Sequence, residues 1–185
     1  FIFPPLYEQK AIAKVLSDLD KKIETNNKIN KKLEVVDDII STAVSAITNR
    51  KENHELVVKE TKDIILFPCD AQLIVQVLVN LLDNAFKHTP DASKVMLKAF
   101  VRNNNIIFQV IDNGKGIEIK QLNHIFDDFF TTSLDNGDHK RGIGLGLAIC
   151  KAIVEAHKGE IKAFNNDLGG ATFELSLPLE EENNE

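Results

Sequence analysis

The apolar positions change period several times along the chain, and the changes mark out its elements. Phe1–Leu6 reads as an extended lead-in, because Pro4 and Pro5 block helix before Tyr7. From there Ile12, Leu16, Leu19, Ile23, Asn26, Asn30 and Leu33 recur at alternating spacings of four and three, a heptad seam. The seam predicts a coiled-coil arm over residues 7–33 that forms a homodimer. The alternative is an amphipathic helix lying on its own domain. Val36, Ile39, Ile40, Ala43, Val44 and Ile47 form a second helical stripe, which either continues the first helix or restarts after a kink.

Beyond Asn53 the pattern becomes mixed. His54–Lys59 and Ile64–Phe67 are strand-like. Asp70 is placed to cap a helix over Ala71–Lys87, and Pro90 stops it. Lys94–Arg102 and Ile106–Ile111 predict a hairpin around Asn103-Asn104-Asn105, and a short helix is expected near Gln121–Phe129. Thr131–Arg141 is polar and aperiodic, the pattern of a mobile loop. Leu145–His157 reads as helix. Glu160–Phe164 and Ala171–Leu177 read as a last hairpin with Gly169 and Gly170 in its connection. Residues 180–185 are an acidic tail, expected to be disordered. The expected fold class is α+β: a two-layer α/β sandwich over residues 34–179, preceded by a helical arm over 1–33.

Composition sharpens this in a few places. A chain of 185 residues, 43% of them hydrophobic, suits one domain plus an appendage. No apolar run is long enough to span a bilayer and no signal peptide is visible, so a soluble cytoplasmic piece is expected. The absence of an initiator Met suggests a piece of a larger protein, whose parent is expected to be membrane-bound. Cys69 and Cys150 are far apart and lack metal-ligand spacing, which predicts free thiols. The first 33 residues hold seven lysines and four acids, a local balance of +3, which leaves −9 for the rest of a chain whose total is −6. Such a total argues against DNA binding.

Three clusters carry candidate chemistry. The first is Asn80-Leu81-Leu82-Asp83-Asn84-Ala85-Phe86-Lys87-His88. Asn80 and Asn84 share a helix face, with Lys87 and His88 one turn on. A carboxamide oxygen suits Mg²⁺, and a lysine offers a point charge to phosphate. A solvated polar helix face is the plainer reading. The second cluster is Asp112-Asn113-Gly114-Lys115-Gly116-Ile117 at a strand end. The carboxylate can accept a hydrogen bond from an adenine amino group, and Gly114 and Gly116 let backbone approach a base. A simple tight turn has the same composition. The third is Gly142-Ile143-Gly144-Leu145-Gly146 before a helix, where backbone amides can face phosphates. No strand precedes it directly, which excludes a dinucleotide fingerprint. Between the last two clusters lies Ile125-Phe126-Asp127-Asp128-Phe129-Phe130, whose apolar residues either anchor a lid or pack in the core. Thr172 is placed to bring a hydroxyl near Asp112.

Taken in order, these clusters resemble the N, G1, F and G2 boxes of sensor histidine kinase catalytic domains, in the superfamily that also holds the gyrase and MutL ATPases. Gly144 through Asn165, followed by Gly169-Gly170-Ala171-Thr172-Phe173, is most similar to potassium-sensing kinases of the KdpD family. The resemblance implies a Bergerat-type ATP-binding fold. It implies Asn80, Asn84 and Lys87 as catalytic residues, with Asn84 on Mg²⁺ and Lys87 on phosphate. It places Asp112 on adenine, with His88, Gly114, Gly116, Ile117, Phe129, Gly142, Gly144, Leu145, Gly146 and Thr172 around the nucleotide. It makes residues 118–141 an ATP lid. The implied partners are ATP or ADP, a phosphoacceptor histidine domain and a response regulator. The ATPases of the superfamily carry a Glu four residues before the metal-binding Asn. Asn80 stands there in this chain and is a poor general base. His54-Glu55-Leu56 superficially resembles a phosphoacceptor box, but Val57 and Val58 continue a strand. Residues 1–33, with Pro4-Pro5-Leu6-Tyr7-Glu8-Gln9-Lys10, resemble the helical spacer of type I restriction enzyme specificity subunits, so a chimera is expected. An ATPase or serine kinase of the same superfamily is the rival enzyme reading, and a non-enzymatic dimerisation module of a restriction complex is the rival outside enzymes.

Overall fold

Asp70 begins the helix around which the other elements are arranged. In the computed structural model of the chain its Oδ1 accepts from the backbone N–H of Gln72 (3.1 Å) and Leu73 (3.2 Å), an N-cap that opens Ala71–His88. The structure describes residues 32–48, 54–59, 61, 63–127, 130 and 145–180. These belong to one compact unit spanning Lys32–Glu185. The seam from Ile12 to Asn30, the stretch Thr131–Arg141 and the tail from residue 181 lie outside the described residues.

The elements, in chain order, are β1 (Lys32–Val35), α1 (Val36–Ile47), β2 (Glu55–Lys59), β3 (Leu66–Cys69), α2 (Ala71–His88), β4 (Lys94–Arg102), β5 (Asn105–Asp112), α3 (Ile119–Leu122), α4 (Gly146–Ala156), β6 (Glu160–Asn165) and β7 (Ala171–Pro178). A five-stranded sheet runs β2-β4-β5-β7-β6, with β2 and β4 parallel and every other pair antiparallel. One face carries Val95, Leu97 and Ala99 from β4, Ile106, Phe108 and Val110 from β5, and Phe173, Leu175 and Leu177 from β7. Against that face lies α2, which buries Ile74, Val77, Leu78, Leu81, Leu82 and Ala85 at helical spacing. Each fully buried aliphatic of this kind contributes about 1.5–3 kcal/mol. α1 and α4 pack on either side of α2. His157 joins the far ends: its Nδ1 donates to the Ile153 carbonyl (2.8 Å), and its Nε2 accepts from the Asp70 N–H (3.1 Å).

Three sequence expectations are corrected here. The heptad helix was expected to run to Leu33, yet Lys32–Val35 is a strand paired antiparallel with β3, Leu33 facing Pro68. The helical stripe from Val36 therefore restarts after a strand. Pro68 is tolerated because β3 pairs on one side only. The strand expected at Ile64–Phe67 is Leu66–Cys69, and Ile64 is exposed. The helix expected near Gln121–Phe129 is Ile119–Leu122, after which Ile125 and Phe126 reach the core from a turn. There Phe126 meets Phe173 edge-on at 6.4 Å. The β4–β5 hairpin has Asn103 and Asn104 as its two-residue loop, both at positive φ (51° and 59°), and Asn105 already belongs to β5.

The other face of the sheet carries a polar band. Lys98, Gln109, Glu174 and Lys162 form one cross-strand rung. Glu174 accepts from Gln109 (2.5 Å) and pairs with Arg102, whose side chain is half exposed. A cavity of about 140 Å³ lies on this face among Arg102, Lys162, Glu174 and Ser176, away from the nucleotide clusters. Burial pushes the Glu174 carboxyl up. Hydrogen bonds from Arg102 and Gln109, with the charges of Arg102 and Lys162, more than offset it and hold the pKa below its ordinary value. A carboxyl lowered on folding stabilises above its unfolded pKa and loses that contribution as pH falls through the folded value. Arg102→Gln is therefore expected to cost roughly 1–2 kcal/mol at neutral pH, with screening of the exposed guanidinium keeping the figure small. That deficit should shrink as pH falls and the Glu174 contribution is lost in the wild type too, as read by urea unfolding between pH 3 and 7.

Candidate functional site

The end of β5 and the C-terminal half of α2 come together below the β6–β7 turn. Asp112, buried as the last residue of β5, directs Oδ1 at two backbone donors, Gly114 N–H (2.9 Å) and Ala171 N–H (3.2 Å). Among the described residues Oδ2 takes no hydrogen bond. A buried carboxylate with one committed and one open oxygen suits an external N–H donor.

The glycines around it are closely packed. A Cβ on Gly114 would come 2.7 Å from Thr89 Cγ2 and 3.0 Å from Asp112 Oδ1. Gly116 stands at φ +71°, and a Cβ there would meet Asn165 Oδ1 at 2.7 Å. Ile117 exchanges hydrogen bonds with the Asn165 side chain, its N–H donating (2.7 Å) and its carbonyl accepting (2.8 Å). Thr172 is buried, and its Oγ1 lies 3.3 Å from Asn166 Nδ2. That nitrogen also donates to the Asp112 carbonyl (2.9 Å), so the expected proximity of Thr172 to Asp112 runs through Asn166.

On α2 the predicted polar residues differ in their engagements. Asn80 hydrogen-bonds the Cys150 thiol of α4, whose Sγ lies 3.9 Å from the Val77 carbonyl. Burial pushes this thiol up to about 12, against that hydrogen bond, and burial raises Cys69 to about 12 as well. Both thiols are buried and free, as expected. The Asn84 carboxamide is half-buried and has no side-chain hydrogen bond among the described residues. Lys87 is paired with Asp83 on the same helix at 2.5 Å. Partial loss of solvent around the His88 ring, then the charges of Lys115 and Lys87, hold its pKa below the ordinary value, against the pull of Asp112.

Gly146 begins α4, and among the described residues a Cβ there would meet nothing within 4 Å. Leu145 before it is buried. Phe129, Gly142 and Gly144 lie outside the described residues. Sequence reasoning missed Thr89, Asn165 and Asn166. The dipeptide Asn165-Asn166 ahead of Gly169-Gly170 was the available signal, since such residues hold turns through their side chains.

A strand-end carboxylate open on one oxygen, beside a helix that carries carboxamides and a lysine, defines a nucleotide-binding domain on a two-layer α/β sandwich. Residues 69–181 match the family described as "Histidine kinase-, DNA gyrase B-, and HSP90-like ATPase", and the chain belongs to it. Within that family it is similar to sensor kinases. Sensor protein KdpD of Clostridium acetobutylicum is 43% identical over 165 residues, covering 89% of this chain and 18% of that protein. KdpD of Escherichia coli is 42% identical over 113 residues, 61% of this chain and 12% of that protein. The chain thus spans less than a fifth of either relative. The solved catalytic domain of histidine kinase ThkA superposes with a TM-score of 0.70 at 25% identity, covering 80% of this chain and 97% of that one. The domain is the ATP-binding catalytic part of the histidine-kinase type. Residues 1–35 match a different family, the type I restriction modification DNA specificity domain, in agreement with a chimera. Among the described residues no helix is long and apolar enough to cross a membrane.

Proposed function

We propose that this chain binds Mg²⁺-ATP and presents the γ-phosphate to a histidine on a separate helical domain, the phosphate passing on to a response regulator. The observation that carries the reading is the buried Asp112 carboxylate, whose Oδ1 is committed to Gly114 and Ala171 while Oδ2 is open to an adenine amino group. The base then lies against Gly114, Gly116 and Ile117, where backbone rather than side chain meets it. The phosphates lie toward Lys87, His88 and the N-terminus of α4 at Gly146, where a side chain would meet no atom of the described residues.

Mg²⁺ fits the same residues. Among the described residues no three His, Cys, Asp or Glu side chains gather as a metal site. The uncommitted Asn84 carboxamide suits an ion that keeps most of its shell as water and phosphate oxygens. When bound, that ion would neutralise phosphate charge. The chain's own contribution is positioning and charge from Lys87. Hydrolysis should be slow, because Asn80 carries no titratable proton acceptor and is already engaged by Cys150. His54 is a poor acceptor: it is buried, its ring 5.2 Å from Phe86 and its Nε2 3.4 Å from the Thr89 carbonyl. Self-association through the heptad seam of residues 7–33, with its last member Leu33 now in β1, and a membrane-bound parent belong to the same proposal.

Calorimetric titration with ATP, with and without Mg²⁺, tests the site. Wild-type protein should bind more tightly with Mg²⁺, and Asn84→Ala should lose most of that difference. Incubation with ATP labelled at the γ-phosphate should leave the chain unlabelled. Acid-labile label on His54, or an unchanged Mg²⁺ effect in Asn84→Ala, contradicts the assignment.

A further inference from the structure

The stretch from Asn113 to Ile117, just after β5, contains two glycines and spans no regular element, so its shape has to be imposed from outside. Two adjacent side chains at the end of β6 grip it at both ends. Asn165 meets the Ile117 backbone in both directions, at 2.7 Å and 2.8 Å, as a neighbouring strand would. Asn166 reaches the other end. Its Nδ2 donates to the Asp112 carbonyl (2.9 Å) and the Ala171 carbonyl (3.0 Å), with Thr172 Oγ1 at 3.3 Å. Its Oδ1 accepts from Leu168 N–H (2.9 Å) and Gly170 N–H (3.2 Å), which shapes the turn it stands in.

We infer that Asn165 and Asn166 are the positioning pair of the base-binding loop, and that discrimination for adenine is set from the β6–β7 turn. The inference rests on the nucleotide reading above. The direction of Asp112 Oδ2 depends on where the Asp112 backbone lies. Asn166 fixes that backbone through its carbonyl while Ala171 N–H fixes Oδ1. Ile117 and Gly116, at the other end, are held by Asn165 and lie under the Gly169 carbonyl, 3.0 Å from where a Gly116 Cβ would stand. Both tasks need a side chain that donates and accepts at once. Asparagine does this; aspartate only accepts. Neither residue needs to touch the nucleotide: they act through Asp112 and Ile117.

Asn166→Asp separates the two duties of Asn166, because it keeps the acceptor for Leu168 and Gly170 and loses the donor to Asp112. Asn165→Ala, at an exposed position, removes the other grip with little risk to folding. ATP and GTP affinities of the full chain are read by calorimetry, and folding by circular dichroism. Each variant should lose about tenfold in ATP affinity while weak GTP binding stays unchanged, so the ratio between the two falls. Asn165→Asp, which keeps the acceptor for Ile117 N–H, should recover part of the loss in Asn165→Ala. An unchanged ATP-to-GTP ratio in both variants, whatever their melting temperatures, makes the pair merely structural and overturns the inference. Wild-type protein that binds no adenine nucleotide overturns the nucleotide reading as well, which distinguishes the two failures.

Discussion

Asp112→Asn should weaken adenine-nucleotide binding by about a hundredfold while leaving the fold intact. The carboxylate is acceptor-only: Oδ1 takes Gly114 and Ala171 N–H, and Oδ2 takes no hydrogen bond among the described residues, which leaves it for the adenine amino group of the proposed ligand. A carboxamide of the same size has one acceptor and one donor. If its oxygen serves the two backbone donors, its NH₂ confronts the adenine amino group. If it is flipped, its NH₂ confronts two buried N–H groups. Either way one interaction becomes donor against donor, and the charge that strengthened the other is gone. Calorimetry with ATP, against a melting curve followed by circular dichroism, checks the expectation. Wild-type affinity in the variant would remove Asp112 from the site.

Gly170→Ala should be the more damaging change, although it adds one methyl group. A Cβ at that position would stand 2.2 Å from the Asp112 carbonyl oxygen and 2.6 Å from Asp112 Oδ1. The obstacle is backbone at the end of a central strand, with β5 paired to β4 on one side and β7 on the other, so it has little room to yield. A loss of about 3 kcal/mol or more is expected from such overpacking. In a domain of this size that lowers the melting temperature by about 10 °C. Gly146→Ala is the contrasting control. Its Cβ meets no described atom, so stability should hold or rise by up to about 1 kcal/mol from helix propensity. Thermal melts of the two variants side by side should differ clearly. Equal melting temperatures would mean that the seam at Gly170 is slack.

Local signals in the sequence were read correctly where they were locally caused. Asp70 caps α2 because its side chain reaches two amides within three residues. The β4–β5 hairpin is set by asparagines that tolerate positive φ. The order of polar clusters also picked out Asp112 and the residues of α2, which the fold brings into one candidate site. What escaped was decided at a distance. β1 is only four residues long and continues a heptad pattern; its partner Leu66–Cys69 lies some thirty residues away, and no periodicity announces that pairing. The apolar residues Ile125 and Phe126 suggested more helix because they are buried, yet they are buried from a turn. Asn165 and Asn166 were passed over. Which carbonyls they would meet depends on β5 and β7 lying side by side, which their own surroundings do not encode.

The sheet order sets a sequence of events during synthesis. β7, which follows the other described strands in chain order, sits between β5 and β6 and pairs with β5 from Asn105↔Pro178 to Ile111↔Thr172. Until it arrives, β5 has an unpaired edge, and Asp112 lacks both Ala171 N–H and the turn that holds its carbonyl. A nascent chain stalled before Ala171 therefore has α2 and the β4–β5 hairpin within reach but no seat for adenine, and it exposes an apolar strand edge open to other chains. The adenine seat is completed only when β7 docks, so removing the chain from Ala171 onward should abolish binding and solubility together rather than trim either.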